Sequence, residues 1–366
     1  MKKVRVSLGK KRSYDIVIGY KIASNYLEKL IKKLGLGNEA AVITNPAIHS
    51  IHRNAIKGFL KRLKANAATI KIPDRETSKS NRQVIKIIES IVKVDKGRGL
   101  FIIAFGGGVV GDTGGFVASI YKRGVPYIQI PTTLLAQVDS AIGGKVAIDL
   151  TSAKNLVGAF YQPRLVISDI SILRSLPSRQ IRSGLAEIIK YGIIKDKRLF
   201  KFLERNIKDI LKLKRDPLEY VIYRSSKIKA AYVKADERDT KGIRAQLNFG
   251  HTIGHAIEAA SRYSKLYSHG EAIAIGMIAA SEIAVKMGLL KRPSLERITN
   301  LIKKGGLPTT ISRGLDIKKI MKAQLYDKKI IHGVNRFILP VRIGKANIYE
   351  KIPKRLISEV IKNRCA

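Results

Sequence analysis

The chain holds one cysteine, no tryptophan and only 6% aromatic residues in 366. A single thiol, Cys365, excludes an internal disulfide and fits a reducing, cytoplasmic compartment. Acidic residues are scarce as well, with 28 Asp and Glu against 70 Lys and Arg, a formal net charge of +42. Such a balance suits polyanions or an anionic small substrate. No helix-turn-helix, zinc-finger spacing or aromatic stacking motif accompanies it, so a specific nucleic-acid partner is not expected. A substrate site uses about half a dozen cations, and the remainder read as a solvated surface. No apolar run approaches the roughly 20 residues of a membrane helix. The start, MKKVRVSLGKKRSYD, is basic but lacks the apolar segment of a secretory signal.

What is present reads in two textures. Strand-like runs alternate with helical ones at first: Tyr14 to Ile18, a helix over Ile22 to Leu34, a strand from Ala40 to Thr44, a helix from His49 to Leu63 and a strand from Ala68 to Ile72. Thr77 or Ser78 is expected to cap a helix running to about Val94, before the strands Leu100 to Phe105 and Tyr127 to Ile130. This order predicts an α/β domain with a mostly parallel sheet over residues 1–177. Beyond Leu176-Pro177-Ser178 the pattern turns helical, predicting a mainly α-helical domain over 178–366, with a small strand at Arg336 to Ile343 and a terminal helix.

Four stretches carry chemistry. Gly106, Gly108 and Gly111 follow a strand and open a helix in the GxGxxG spacing that presents backbone amides to a pyrophosphate. The acid expected about 20 residues further on, at a ribose, is missing. A second stretch, Pro131 to Asn155, gathers Asp139, Lys145, Lys154 and Asn155 around Gly143-Gly144; an anion site or a plain hairpin with solvated lysines both account for it. Third, Glu187 and Lys190 stand at i and i+3 on an apolar helix, as a surface ion pair or as a metal-binding carboxylate beside a cation. Last, Asn248 to Glu271 holds His251, His255 and His269, three of the six histidines; helical spacing alone pairs His251 with His255.

In register, GGGVVGDTGGFVASIYKRG, PTTLLAQVDSAIGGKVAIDL, GLAEIIKYG, DERDTKGIRAQLNFGHTIGHAIE and HGEAIAIGM resemble the 3-dehydroquinate synthase family of sugar-phosphate cyclases over nearly the whole chain. The resemblance implies NAD and one divalent metal, zinc or cobalt, with an active site between the two domains. It assigns the metal to Glu187, His251 and His269, correcting the His251–His255 pairing, and leaves His255 as an acid/base group. NAD contacts would come from Asn45, Glu76, Lys79, Gly107, Gly108, Asp112, Thr132, Thr133, Lys145 and Lys154. Substrate groups would be Arg123, Asp139, Lys145, Asn155, Lys190, Lys229, Arg244, Asn248 and His255, with Lys328 or Lys329. The segment between His255 and His269 is about two residues longer than the family pattern. The implied reaction takes 3-deoxy-D-arabino-heptulosonate 7-phosphate to 3-dehydroquinate and phosphate in the shikimate pathway, by transient oxidation, phosphate elimination, re-reduction, ring opening and aldol closure. A cytoplasmic homodimer acting on an anionic sugar phosphate, without a membrane, completes the expectation. Alternatives are a sister sugar-phosphate cyclase or a metal-dependent polyol dehydrogenase of the same superfamily.

Overall fold

The structure, a computed structural model, describes the chain apart from residues 10, 152, 262–265, 313, 326–334 and 366. Lys328, Lys329 and part of the segment between His255 and His269 thus lie outside the described residues. The chain divides into two compact units, Met1–Leu176 with Leu218–Arg238, and Pro177–Pro217 with Asp239–Ala366. The division at Pro177 falls where the helical texture begins. Leu218–Arg238, assigned by sequence to the second domain, groups instead with the first unit, and its helix Arg215–Ala235 buries Leu218, Val221, Ile222, Ile228 and Val233.

The first unit is built on strands β1 (Lys2–Val6), β2 (Tyr14–Gly19), β3 (Glu39–Thr44), β4 (Asn66–Lys71), β5 (Leu100–Gly106), β6 (Tyr127–Pro131), β7 (Lys145–Ile148), β8 (Val157–Phe160) and β9 (Leu165–Asp169). Seven of them form one sheet in the order β1-β2-β9-β6-β5-β3-β4 among the described residues. Every pair is parallel except β1–β2. Strands β3 and β5 are apolar on both faces: Ala41, Ile43, Ile102 and Ala104 join one core, while Ala40, Val42, Phe101, Ile103 and Phe105 join the other. That is the period-two pattern of a sheet covered on both sides. Helices Asn81–Val92 and Gly108–Ile120 cover the first face, and Pro46–Leu63 with Leu27–Lys32 cover the second.

Several local expectations change. The helix expected over Ile22 to Leu34 breaks at Tyr26 (φ −127°) into Ile22–Asn25 and Leu27–Lys32. Ile22, Ala23, Leu27 and Ile31 would spread over about half the circumference of one straight helix, and the break turns all four inward. Ser80, not Thr77 or Ser78, caps the helix Asn81–Val92, accepting from the Gln83 amide at 3.4 Å. Ser78 is spent in a short 3₁₀ turn, where its hydroxyl donates to the Pro73 carbonyl at 2.8 Å. Strands β1 and β9 escape a reading by periodicity; β9 nevertheless lies within the sheet, between β2 and β6.

The second unit packs helices Ser178–Ile194, Lys197–Leu211, His251–Ala260, His269–Lys286, Arg292–Lys304, Ile317–Leu325 and Lys354–Asn363 with a hairpin of β10 (Arg336–Arg342) and β11 (Lys345–Glu350). The helix His269–Lys286 is its core, buried almost all round. Among the described residues no helix is long and apolar enough to cross a membrane.

Candidate active site

Parallel register sets the first set of residues. Ile43 pairs with Ala104, Phe105 with Ile130 and Gly106 with Pro131, so the segments at Asn45, Gly107 and Thr132 leave the sheet at one carboxyl edge. Open α/β sheets bind ligands at that edge. The helix Gly108–Ile120 starts there with Gly107 at its N-cap and no side-chain cap, leaving its first amides to a ligand. A Cβ on Gly106 would lie 2.4 Å from Val110 Cβ, and one on Gly111 2.8 Å from Gln129 Oε1, so glycine is a packing requirement here. The hydroxyls of Thr44 and Thr132 are buried with no hydrogen-bond partner among the described residues. Orphaned hydroxyls on a strand edge beside an uncapped helix fit a bound dinucleotide.

Around this edge Lys79, only 4% exposed, donates to Asp112 Oδ2 at 2.9 Å and to Asn155 Oδ1 at 2.5 Å. Burial works to lower the Lys79 pKa, but the charges of Asp112 and Glu76 outweigh it and raise it. Lys79 therefore stays a cation. Burial pushes the Asp112 carboxyl up, with Lys79 pulling it back. Lys154 stands 3.9 Å from Glu76, linking the same acid to the far loop. Asn155 sits at φ 54°, its amide held by Asp149 at 2.8 Å. Asn45 caps the helix Pro46–Leu63, its Oδ1 accepting from the Ile48 amide at 2.8 Å. Thr133 Oγ1 likewise accepts from the Ala136 amide at 3.1 Å.

Two expected substrate groups form one pair: the buried Lys229 ammonium lies 2.6 Å from Asp139 Oδ1. Lys145 is exposed at the start of β7, its ammonium 5.9 Å from the centre of the Phe160 ring. β7 and β8 form an antiparallel hairpin, as the plainer sequence reading of this stretch has it. Arg123 is not brought to the glycine turn within this chain. It follows the far end of the helix Gly108–Ile120, about 20 Å along the axis from its first turn.

In the second unit Glu187, His251 and His269 bring one ligand atom each to within 4.8 Å of one another. Glu187 Oε1 is 3.5 Å from His251 Nε2 and 3.5 Å from His269 Nε2. His251 Nδ1 donates to the Phe249 carbonyl at 3.1 Å, which leaves the lone pair on Nε2. Two imidazoles and a carboxylate, with no fourth protein ligand required, fit a catalytic zinc or cobalt ion. Lys190 pairs with Glu187, and both are almost fully buried, so this is no surface ion pair. His255 completes a triangle of rings, 5.2 Å from His251 and 6.1 Å from His269 between centroids. Burial works against a charge on His269, but hydrogen bonding to Glu187 and Glu258 wins and its pKa is pushed up to about 10. Arg244 is buried in the 3₁₀ turn Ile243–Asn248, with Asn248 at the end of that turn, shortly before His251.

Close packing assembles the triad. A Cβ on Gly276 would fall 2.0 Å from the Gly250 carbonyl, and one on Gly254 2.7 Å from Ile273 Cδ1, so these glycines let the helices of His251 and His269 touch by backbone. Ser268 and Glu271 form a capping box that starts the second helix at His269. Arg179 clamps Glu271 through both carboxylate oxygens, at 2.6–3.0 Å, and donates to the Leu266 carbonyl at 2.8 Å. Glu258, Ser183 and Arg179 carry no role in the sequence reading. For the capping box the Ser-x-x-Glu spacing was a signal, and for Glu258 its position seven residues beyond His251.

Residues 69–183 match the family described as 3-dehydroquinate synthase N-terminal, and residues 184–330 that described as 3-dehydroquinate synthase C-terminal. A 3-dehydroquinate synthase of Pelotomaculum thermopropionicum is 43% identical over 361 residues, covering 99% of this chain and 96% of that protein. Among solved structures, 2-epi-5-epi-valiolone synthase of Streptomyces hygroscopicus subsp. jinggangensis, with NAD+ and Zn2+ bound, superposes with TM-score 0.87 at 25% identity, covering 98% of this chain and 99% of that one. A 2-deoxy-scyllo-inosose synthase complexed with carbaglucose-6-phosphate, NAD+ and Co2+ gives 0.86 at 28% identity, covering 99% and 100%. With both halves of the family matched in order, and a relative this similar along nearly its full length, the chain belongs to the 3-dehydroquinate synthase family.

Proposed function

We propose that this chain is a 3-dehydroquinate synthase, a carbon–oxygen lyase that converts 3-deoxy-D-arabino-heptulosonate 7-phosphate to 3-dehydroquinate and phosphate in the shikimate pathway. The observation that carries the reading is the triad of Glu187, His251 and His269, the first two buried, in a chain 43% identical to a 3-dehydroquinate synthase. When bound, NAD supplies a reversible oxidant for one ring hydroxyl, and the divalent metal a Lewis acid that polarises its oxygen.

The chain's own groups do the rest. Glu187, His251 and His269 hold the metal. The uncapped amides from Gly108 onward, with Thr132, Thr133, Asn45, Glu76, Lys79, Gly107, Asp112 and Lys154, hold NAD. The Lys79–Asp112–Asn155 hydrogen bonds keep that loop in place. Lys145, Lys190 and Asn155 bind the phosphate, and Lys229 and Arg244 bind the substrate carboxylate. Asp139, 2.6 Å from Lys229, orients its ammonium and also reaches the substrate hydroxyls. Asn248 and His255 contact the ring, with His255 moving a proton at its imidazole nitrogen. As the C–O bond to phosphate breaks, the departing phosphate takes the proton from the neighbouring carbon, so the site needs cations more than a spare carboxylate. Arg123, on the remote turn, has no contact assigned within one chain.

Incubation with the heptulosonate phosphate and NAD, following phosphate and NADH together, tests this reading. Stoichiometric phosphate without net NADH is expected. Accumulating NADH would reassign the chain to the polyol dehydrogenases, and absence of phosphate release to a sister cyclase with another sugar phosphate. The reading also places the enzyme in the cytoplasm as a homodimer, which equilibrium sedimentation checks.

A further inference from the structure

The imidazole of His269 has a carboxylate on each side: Nε2 is 3.5 Å from Glu187 Oε1, and Nδ1 is 3.5 Å from Glu258 Oε1. We propose that Glu258 is a positioning residue for the metal, holding the proton of His269 on Nδ1 so that Nε2 presents its lone pair to the ion. The inference rests on the metal site proposed above and adds to it a group outside the ligand set.

The helix His251–Ala260 places Glu258 for this task. Positions 251, 255 and 258 are separated by one and nearly two turns, so one face carries a ligand, an acid/base imidazole and this carboxylate. Glu258 is partly buried, with a side chain 17% exposed, where a charged hydrogen bond is stronger than in open water. His251 has an equivalent partner in the Phe249 carbonyl, 3.1 Å from its Nδ1. Each ligating imidazole thus has an oxygen on the nitrogen facing away from the ion. Such partners set the tautomer and ring orientation and raise the basicity of the ligand. His255, Glu258 and His269 also lie close enough to hold an ion of their own, which would make Glu258 a ligand instead. The two roles differ in stoichiometry. A positioning residue leaves one ion per chain, and a second site gives two.

The test uses the full chain, stripped of metal and titrated with Zn2+ against a chromophoric chelator, as wild type and as Glu258→Gln and Glu258→Asp. The glutamine keeps the shape and can still accept from Nδ1, but it loses the charge. Expected are one Zn2+ per wild-type chain, a 10- to 100-fold weaker affinity in Glu258→Gln, partial recovery in Glu258→Asp, and unchanged melting of the metal-free proteins. The Co2+ visible spectrum should shift in Glu258→Gln without loss of band intensity at saturation, reporting a changed ligand field on an intact site. Equal Zn2+ affinity in wild type and Glu258→Gln would overturn the inference. Two ions in wild type and one in Glu258→Gln would overturn it in favour of a second site. A wild-type chain that takes up no Zn2+ would remove the metal site itself, and this inference with it.

Discussion

Gly270 lies directly against Ser183: its amide donates to Ser183 Oγ at 3.0 Å, and a Cβ at position 270 would fall 2.3 Å from the Ser183 carbonyl oxygen. One turn beyond Ser183 on its helix comes Glu187, and one residue before Gly270 stands His269. The contact between a glycine and a serine backbone therefore sets the separation of Glu187 and His269.

Gly270→Ala should force the helix His269–Lys286 away from Ser178–Ile194. The clash is with backbone, so no side chain can swing aside to relieve it. A loss of about 1–3 kcal/mol in stability is expected, with at least a tenfold weaker metal affinity, read by chemical denaturation and metal titration. Gly58→Ala is the control, since its Cβ would meet only the end of Arg62, at 3.4 Å. It should be neutral or stabilising by up to about 1 kcal/mol, because alanine favours a helix.

Glu187→Ala, His251→Ala and His269→Ala should each lower metal content well below one ion per chain and abolish turnover. Full occupancy in all three, measured by elemental analysis, would remove this ligand set. The His269 pKa, raised to about 10, gives metal uptake a direction with pH. Below that value the metal-free imidazole is protonated, and binding must expel the proton. Apparent affinity should rise with pH by up to about tenfold per unit through the neutral range.

Cations in the proposed site and cations on the surface should behave differently. Neutralising Lys145, Lys190, Lys229 or Arg244 leaves a bound substrate charge unpaired, at about 2–5 kcal/mol, and should cost at least tenfold in kcat/KM. For Lys229 the loss also removes its 2.6 Å contact with Asp139. Lys32, exposed and paired with Glu28, and Lys33 should together cost less than threefold at physiological salt, where screening acts over about 8 Å. Equal losses in both sets would mean that the field of the whole +42 chain steers the substrate.

Asp95 ties the turn at Tyr121-Lys122-Arg123 to the loop after the helix Asn81–Val92. It accepts from the Tyr121 hydroxyl at 2.7 Å and pairs with Lys122 at 2.6 Å, where Lys122 and Arg123 both adopt positive φ. Hydrogen bonds from Lys122 and Tyr121 hold its carboxyl below the usual range, despite burial. A depressed folded pKa stabilises above the unfolded value, near 3.9, and that stability is lost as pH falls through the folded one. Asp95→Asn should therefore cost about 1 kcal/mol at pH 7, a modest figure because Lys122 is half exposed and screened. Denaturation from pH 7 down to about pH 3 should show the gap to wild type closing at the acid end.

Much of this molecule is written locally. Strands β3, β5 and β6 are legible because apolar runs ended by Asn45-Pro46, three glycines and Pro131 admit little else, and the helical texture begins at Pro177, where the second compact unit starts. The family motifs named the triad before any geometry. Spacing alone did not: it paired His251 with His255, since periodicity sees only neighbours along one helix. Other features depended on partners distant in the chain. The short run Leu165–Asp169 has no signal beyond its five residues, yet it becomes an inner strand because β2 and β6 leave a parallel gap for it. Leu218–Arg238 reads as one more helix, and only the tertiary structure groups it with the sheet unit. Glu258 shows in the sequence only its position seven residues beyond His251, and the start of another helix brings His269 Nδ1 to 3.5 Å from its carboxylate. Local sequence determined the elements and their residue types, through backbone propensity and period. Tertiary packing decided which side chains meet, because glycine contacts such as Gly270 on Ser183 and Gly276 on Gly250 set the separations between helices, and those separations are not a property of either segment alone.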